Sequence, residues 1–230
     1  YWLKLDAVRE LTTEGIPAGD VFELPLEAGT SGWNLVGDFF TEPIDFFSLR
    51  VRDRSGVVRT MQQAMAAGLV RSPLYAYLFG GYATSAVIEP YVGYWLNVGE
   101  DIVLIGNRNT DTLAASEPAS APAIAVPEGG WLMPLVVSSG AMTDASTWVG
   151  CAPAATPGFD AGLDLLKPPP VDMGGMVYAA AEGPAGAQGV DVRPAGAAVW
   201  TLNVQGPVGE RVVVRWPDLS AVPEDLRPVL

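Results

Sequence analysis

Short apolar stretches with a two-residue period, cut off from one another by glycine and proline, leave this chain little to build except β-structure. Val21–Leu26 reads VFELPL and puts Phe22, Leu24 and Leu26 on one face. Leu74–Phe79 reads LYAYLF and sets Leu74, Ala76 and Leu78 against Tyr75, Tyr77 and Phe79. Val199–Val204 gathers Trp200, Leu202 and Val204, and Arg211–Trp216 alternates Val212, Val214 and Trp216 with Arg211, Val213 and Arg215. Ile102–Ile105 is a short continuous apolar run. Successive side chains of a strand point to opposite faces, so this period, with its β-branched and aromatic residues, predicts half-buried strands. Glycine (26) and proline (20) make up a fifth of the 230 residues and supply the turns between them.

One segment has a different period. Thr60-Met61-Gln62-Gln63 has the spacing of a capping box, and Met61, Ala64, Met65 and Leu69 continue a helical stripe that Gly68 and Pro73 limit. A single short helix over Thr60–Ala67 is expected. Thr112–Pro127 is rich in Ala, Ser and Pro and reads as a linker; Ala179–Ala198 is rich in Ala and Gly and reads as a long hairpin with a mobile tip. The expected organisation is therefore one β-sandwich over 1–113, a linker over 114–127, and a second β-sandwich over 128–230.

Composition removes whole classes of chemistry. There is no histidine, hence no Ser-His or Cys-His dyad and no imidazole ligand or proton shuttle. A formal charge of −13 argues against binding a nucleic-acid backbone, which takes clustered Lys and Arg. Cys151 is the sole cysteine, so the chain cannot form an internal disulfide. No run is long and apolar enough to span a membrane as a helix, and no secretory leader opens the chain. Tyr1 in place of Met points to a processed product or part of something longer.

The most informative feature is a recurrence. Tyr1-Trp2-Leu3-Lys4 returns as Tyr94-Trp95-Leu96-Asn97, and Gly32-Trp33-Asn34-Leu35 returns loosely as Gly130-Trp131-Leu132. Trp2 and Trp95 are 93 positions apart, and Trp33 and Trp131 are 98 apart, a domain-sized period. The run Gly32–Gly37, the short helix, the aromatic strand Tyr75-Ala76-Tyr77 and Gly93-Tyr94-Trp95-Leu96 together resemble a "GWNLIG…GYW" module of large secreted and cell-surface bacterial proteins. That resemblance covers roughly Gly32–Val98. The segments around Gly158-Phe159-Asp160, Pro168–Pro170, Asp191-Val192-Arg193, Trp200-Thr201-Leu202 and Val212–Trp216 are similar to the β-rich parts that follow such modules. For them the resemblance implies an immunoglobulin-like sandwich, with Arg227–Leu230 as a strand cut before the sandwich is complete. It implies architecture and an extracytoplasmic location (periplasm, cell surface or secreted), and it brings no catalytic residues. Its structural positions are Gly32, Trp33, Asn34, Leu35, Gly93, Tyr94, Trp95, Leu96, Trp131, Trp200 and Trp216.

Candidate chemistry is sparse. The neighbouring carboxylates Asp160 and Asp164, Asp38 and Asp45, and Glu100 and Asp101 read as turn and cap residues before they read as an acid/base pair. Asn107-x-Asn109-x-Asp111 begins like a calcium loop, but Thr112 stands where the sharp-turn Gly belongs and Pro118 where the bidentate Glu belongs; a turn is expected there, with a structural calcium among other loops left open. Tyr75, Tyr77, Phe79 and Tyr82 form an aromatic strip that suits sugar stacking or a protein contact, but reads first as core packing and cross-strand pairing. Cys151 reads as a buried thiol. The chain is expected to be all-β and non-enzymatic, without a cofactor, and to make protein–protein contacts within a larger assembly or parent protein. The alternatives are an accessory subunit on the extracytoplasmic side of a membrane-bound complex, such as a photosynthetic or respiratory assembly, and a carbohydrate-binding module.

Overall fold

The computed structural model describes residues 15, 18–78, 80–112, 124–171, 176–196, 198–224 and 226. Phe79, the Tyr1–Lys4 copy of the repeat, most of the expected linker and Arg227–Leu230 lie outside the described residues.

The first half runs β1 (Val21–Leu26), β2 (Trp33–Gly37), β3 (Ile44–Asp45), β4 (Arg50–Arg52), β5 (Val58–Thr60), α1 (Met61–Ala66), β6 (Leu74–Leu78), β7 (Gly81–Ser85), β8 (Val87–Ile88), β9 (Gly93–Asn97), β10 (Ile102–Asn107) and α2 (Arg108–Asp111). Two four-stranded antiparallel sheets form, in the orders β1-β10-β4-β5 and β2-β9-β6-β7, with β3 and β8 as a separate pair. Leu26, Val51, Ile102 and Leu104 of the first sheet meet Val36, Leu74, Ala76, Tyr94 and Leu96 of the second in one core, which α1 closes with Met61 and Ala64. The alternation seen in VFELPL is what points Phe22, Leu24 and Leu26 inward. At α1 the capping box is complete: the Thr60 hydroxyl accepts from the Gln63 backbone N–H at 3.2 Å, and the Gln63 side chain accepts from the Thr60 N–H at 3.0 Å.

The second half runs β11 (Trp131–Ser139), β12 (Met142–Cys151), β13 (Leu165–Leu166), β14 (Tyr178–Gly183), β15 (Gly186–Arg193), β16 (Leu202–Gln205) and β17 (Val213–Arg215). Its strands make one sheet in the order β16-β14-β15-β12-β11-β17, with β13 on β15. β12 and β15 are parallel; the other pairs are antiparallel. The sheet curls, so that Val137 of β11 packs on Val177 and on Ala179 of β14. The Ala/Gly-rich stretch is the expected hairpin, β14–β15, tipped at Gly183–Gly186. Leu135 pairs with Thr147 and Val137 with Asp144, so β12 carries a bulge opposite Val136. A bulge re-aims side chains, and here Asp144, Ser146 and Thr147 are all buried.

The chain is all-β with two short helices among the described residues. The second of them, α2, was not expected. Asn107 caps it, accepting from the Asn109 N–H at 3.0 Å, and Asp111 accepts from the Asn107 N–H at 2.7 Å. The calcium-like spacing is thus the signature of a helix start, with the side-chain oxygens of Asn107 and Asp111 engaged by the backbone.

Candidate functional site

The second sheet of the first half is apolar on both faces. Leu74 and Ala76 of β6, with Tyr94 and Leu96 of β9, fill the core between the two sheets. Trp33, Tyr75, Tyr77, Tyr82 and Trp95 cover the opposite face, where they pack against Met176, Tyr178 and Ala180 of the second half. A relay of tilted and edge-to-face rings crosses this seam. Trp33 lies 6.4 Å from Trp95 and 6.3 Å from Tyr75; Tyr75 lies 6.0 Å from Tyr82, and Tyr82 lies 5.8 Å from Tyr77 and 6.4 Å from Tyr178. Such arrangements set the positive ring edge against the negative face and add about 0.5–1.5 kcal/mol per pair beyond burial.

Polar bonds fasten the same seam. The Tyr82 hydroxyl donates to the Pro169 carbonyl at 2.9 Å. Leu166 N–H donates to the Arg71 carbonyl at 3.0 Å, and Val177 N–H to the Gly80 carbonyl at 2.9 Å. Glycine is required where the halves approach most closely: a Cβ at Gly81 would stand 2.2 Å from the Thr143 carbonyl oxygen, and one at Gly189 would stand 2.3 Å from the Tyr75 hydroxyl.

The remaining motif residues position this face. Gly32 has φ +73°, and a Cβ there would meet the Val98 carbonyl oxygen at 2.4 Å. Asn34 accepts from Glu27 N–H at 3.1 Å and donates to the carbonyls of Glu27 and Gly32 at 2.9 and 3.0 Å, which holds the turn entering β2. Leu35 is exposed, and Gly93 opens β9 opposite Gly37. Trp131 and Trp200 stack edge to face at 6.0 Å, and Trp216 joins them on Met133, Leu135 and Val149. These three tryptophans pack in a cluster of the second half separate from that of the seam rings.

Beside the seam lies a constellation that sequence reading missed. Lys167 and Asp144 are both fully buried, with side chains 0% exposed. The Lys167 Nζ donates to both Asp144 oxygens, at 2.9 and 2.7 Å, to the Thr147 hydroxyl at 2.8 Å and to the Ala179 carbonyl at 2.6 Å. Asp144 also accepts from Ser146 N–H, the Ser146 hydroxyl and Ala179 N–H. Nζ stands 5.1 Å from the Tyr178 ring centre. Burial disfavours the ammonium and pushes Lys167 down to about 8, against the opposing pull of Asp144. Neither residue carried a signal in the sequence: Asp144 stands third in β12 among Thr143, Ala145, Ser146 and Thr147, and Lys167 lies beyond a long connection.

The aspartates of the acidic pairs are taken up by backbone N–H groups, some local and some distant in sequence. Asp164 accepts from the N–H groups of Asp160 and Val192, Asp160 from Thr156, Asp38 from Phe40, Asp45 from Phe47, and Asp101 from Ala28. Burial pushes Asp38 and Asp164 up to about 6. Among the described residues no group of three or more His, Cys, Asp or Glu is placed to hold a metal ion. No helix among the described residues is long and apolar enough to cross a membrane. Cys151 is buried, and its burial raises the thiol pKa. No family model, curated protein or solved structure matches the chain.

Proposed function

We propose that the protein is a non-catalytic, extracytoplasmic interaction module that holds its neighbours at a fixed spacing within a larger assembly or parent protein. The observation that carries this reading is the seam: the aromatic residues that would otherwise be free to bind a ligand join the two halves of the chain to each other. A body welded in this way transmits position. The resemblance to bacterial surface modules, with the repeat it implies, and the immunoglobulin-like reading of residues 128–230 belong to the same proposal. In favour of the latter, the curl brings β11 over β14 as the two leaves of a sandwich would be brought together; the parallel pairing of β12 with β15 is a departure from that pattern.

A second reading, an accessory subunit docked on a membrane-bound complex, is favoured by one feature. Among the described residues from 194 to 226 none is buried, although they include Val199, Val204, Val208 and Leu219, all exposed. The sugar-binding alternative has less to stand on, since Tyr75 and Tyr82 face the second half. Chemical crosslinking in the native source, followed by protease accessibility of intact cells, tests the proposal. Crosslinks from residues 194–226 to defined neighbouring chains, with cleavage from outside, are expected. Cytoplasmic protection from protease would overturn it.

A further inference from the structure

We propose that Lys167 and Asp144 are joined in the mature protein by an amide bond between Nζ and Cγ, an internal covalent staple that this chain forms by itself. The Nζ already touches both carboxyl oxygens, at 2.9 and 2.7 Å, and both side chains are sealed from solvent. Attack on Cγ needs the nitrogen above the carboxyl plane, which a change in the terminal Lys167 torsions supplies from this contact. Fixed proximity of this kind is worth an effective concentration of roughly 10⁵–10⁸ M in well-oriented pairs.

Residue choice points the same way. The chain has 13 basic residues, and only Lys4 and Lys167 among them are lysine. Among the described residues, the one basic position that is completely buried therefore carries the amine, whose burial-lowered pKa makes it a nucleophile, and not a guanidinium, which stays protonated. With one cysteine, a disulfide is not available to do this work within the chain.

The atoms balance without a co-reactant. The ammonium passes one proton to the carboxylate, leaving a neutral amine and a carboxylic acid. The amine lone pair forms the Nζ–Cγ bond, and the developing oxyanion on Oδ1 keeps the Ser146 N–H and hydroxyl, while Oδ2, which the Ala179 N–H serves, is the oxygen that leaves. A second proton moves from nitrogen to the departing hydroxyl, the C–O bond breaks, and water leaves. A cleft of about 450 Å³ lined by Trp33, Arg71, Lys167 and Pro169 runs past this segment, and because both reacting side chains are sealed from it, the water leaves through a local opening. The product removes two buried charges, whose desolvation an ion pair recovers poorly. Its carbonyl oxygen keeps the two Ser146 donors, and its N–H donates to the Ala179 carbonyl or the Thr147 hydroxyl.

Intact mass of the denatured, purified wild-type chain decides the matter. A mass lower than the sequence mass by one water molecule is expected, with peptide mapping showing a branched peptide that joins the segments around Asp144 and Lys167. Lys167→Arg should carry its full sequence mass. Asp144→Asn should lose ammonia instead of water and arrive at the same crosslinked mass as wild type. Full sequence mass for wild type after long incubation of the folded protein at mildly alkaline pH overturns the proposal. A lost water that maps to a linear Asp144 peptide, as a succinimide elsewhere would give, overturns it equally.

Discussion

Replacing Tyr82 by alanine tests whether the seam holds the two halves as one body. The ring is 2% exposed and contacts Tyr75, Tyr77 and Tyr178, and its hydroxyl reaches Pro169 across the seam. Deleting a buried aromatic side chain costs about 3–5 kcal/mol, from lost transfer energy and the cavity left behind. The Pro169 hydrogen bond contributes about 1 kcal/mol of that kind of loss by itself. Tyr82→Phe, which keeps the ring, should therefore cost about 1 kcal/mol and Tyr82→Ala about 4 kcal/mol. For a chain of this length each kcal/mol moves the melting temperature by about 2–4 °C, so the alanine variant should melt roughly 8–16 °C lower. Calorimetry gives the size of the effect. Trp33 and Trp95 lie in the first half and Trp131, Trp148, Trp200 and Trp216 in the second, so single-tryptophan variants report each half separately. Both halves should lose stability together. A loss under 1 kcal/mol, or a shift confined to the first half, refutes the seam as the element that couples them.

Three further outcomes follow from particular groups. Asp38 and Asp164 have folded pKa values near 6, above the ordinary 3.8, so the folded state binds more protons between those values and their contribution to stability falls as pH rises through that window; urea midpoints should be higher at pH 5 than at pH 7, and Asp164→Asn, though less stable overall, should show a smaller difference. Asp53, Glu23 and Asp101 are held low by hydrogen bonds and arginine partners and act in the opposite direction in acid, so the advantage should reverse below about pH 4. Thr60→Ala removes the hydroxyl half of the capping box and should cost about 1 kcal/mol in chemical denaturation, with Thr60→Ser restoring it. Cys151, buried with a raised thiol pKa, should react with a thiol reagent far more slowly in the native protein than in denaturant, and equal rates would show that β12 is not packed as described.

Local rules carried the reading of the first half. The alternation of VFELPL marks β1 to the residue, and the Thr60–Gln63 spacing marks α1, because each signal is complete within a few positions. The expected strand over Val199–Val204 is displaced to Leu202–Gln205. The Val199 carbonyl instead accepts from the Arg193 guanidinium and the Thr201 carbonyl from Glu182 N–H, contacts that periodicity does not encode. Which face of the aromatic strip is covered was equally beyond local pattern: alternation separates Tyr75 and Tyr77 from Leu74 and Ala76, but the cover comes from Tyr178, about a hundred positions on. Lys167 and Asp144 meet through a bulge and a long connection, and a bulge breaks the very periodicity by which a strand is read.

The parallel pairing of β12 with β15 has a consequence for how this polypeptide is made. β12 ends at Cys151 and finds its neighbour only when Val190–Arg193 has emerged, after the intervening chain has been laid down and the β14–β15 hairpin has turned back. Until then one edge of β12 is bare, beside a β11–β12 hairpin that can close at once. Loop closure must precede the reward of such a contact, so this open edge is one that the nascent molecule must keep from its own kind until β15 arrives.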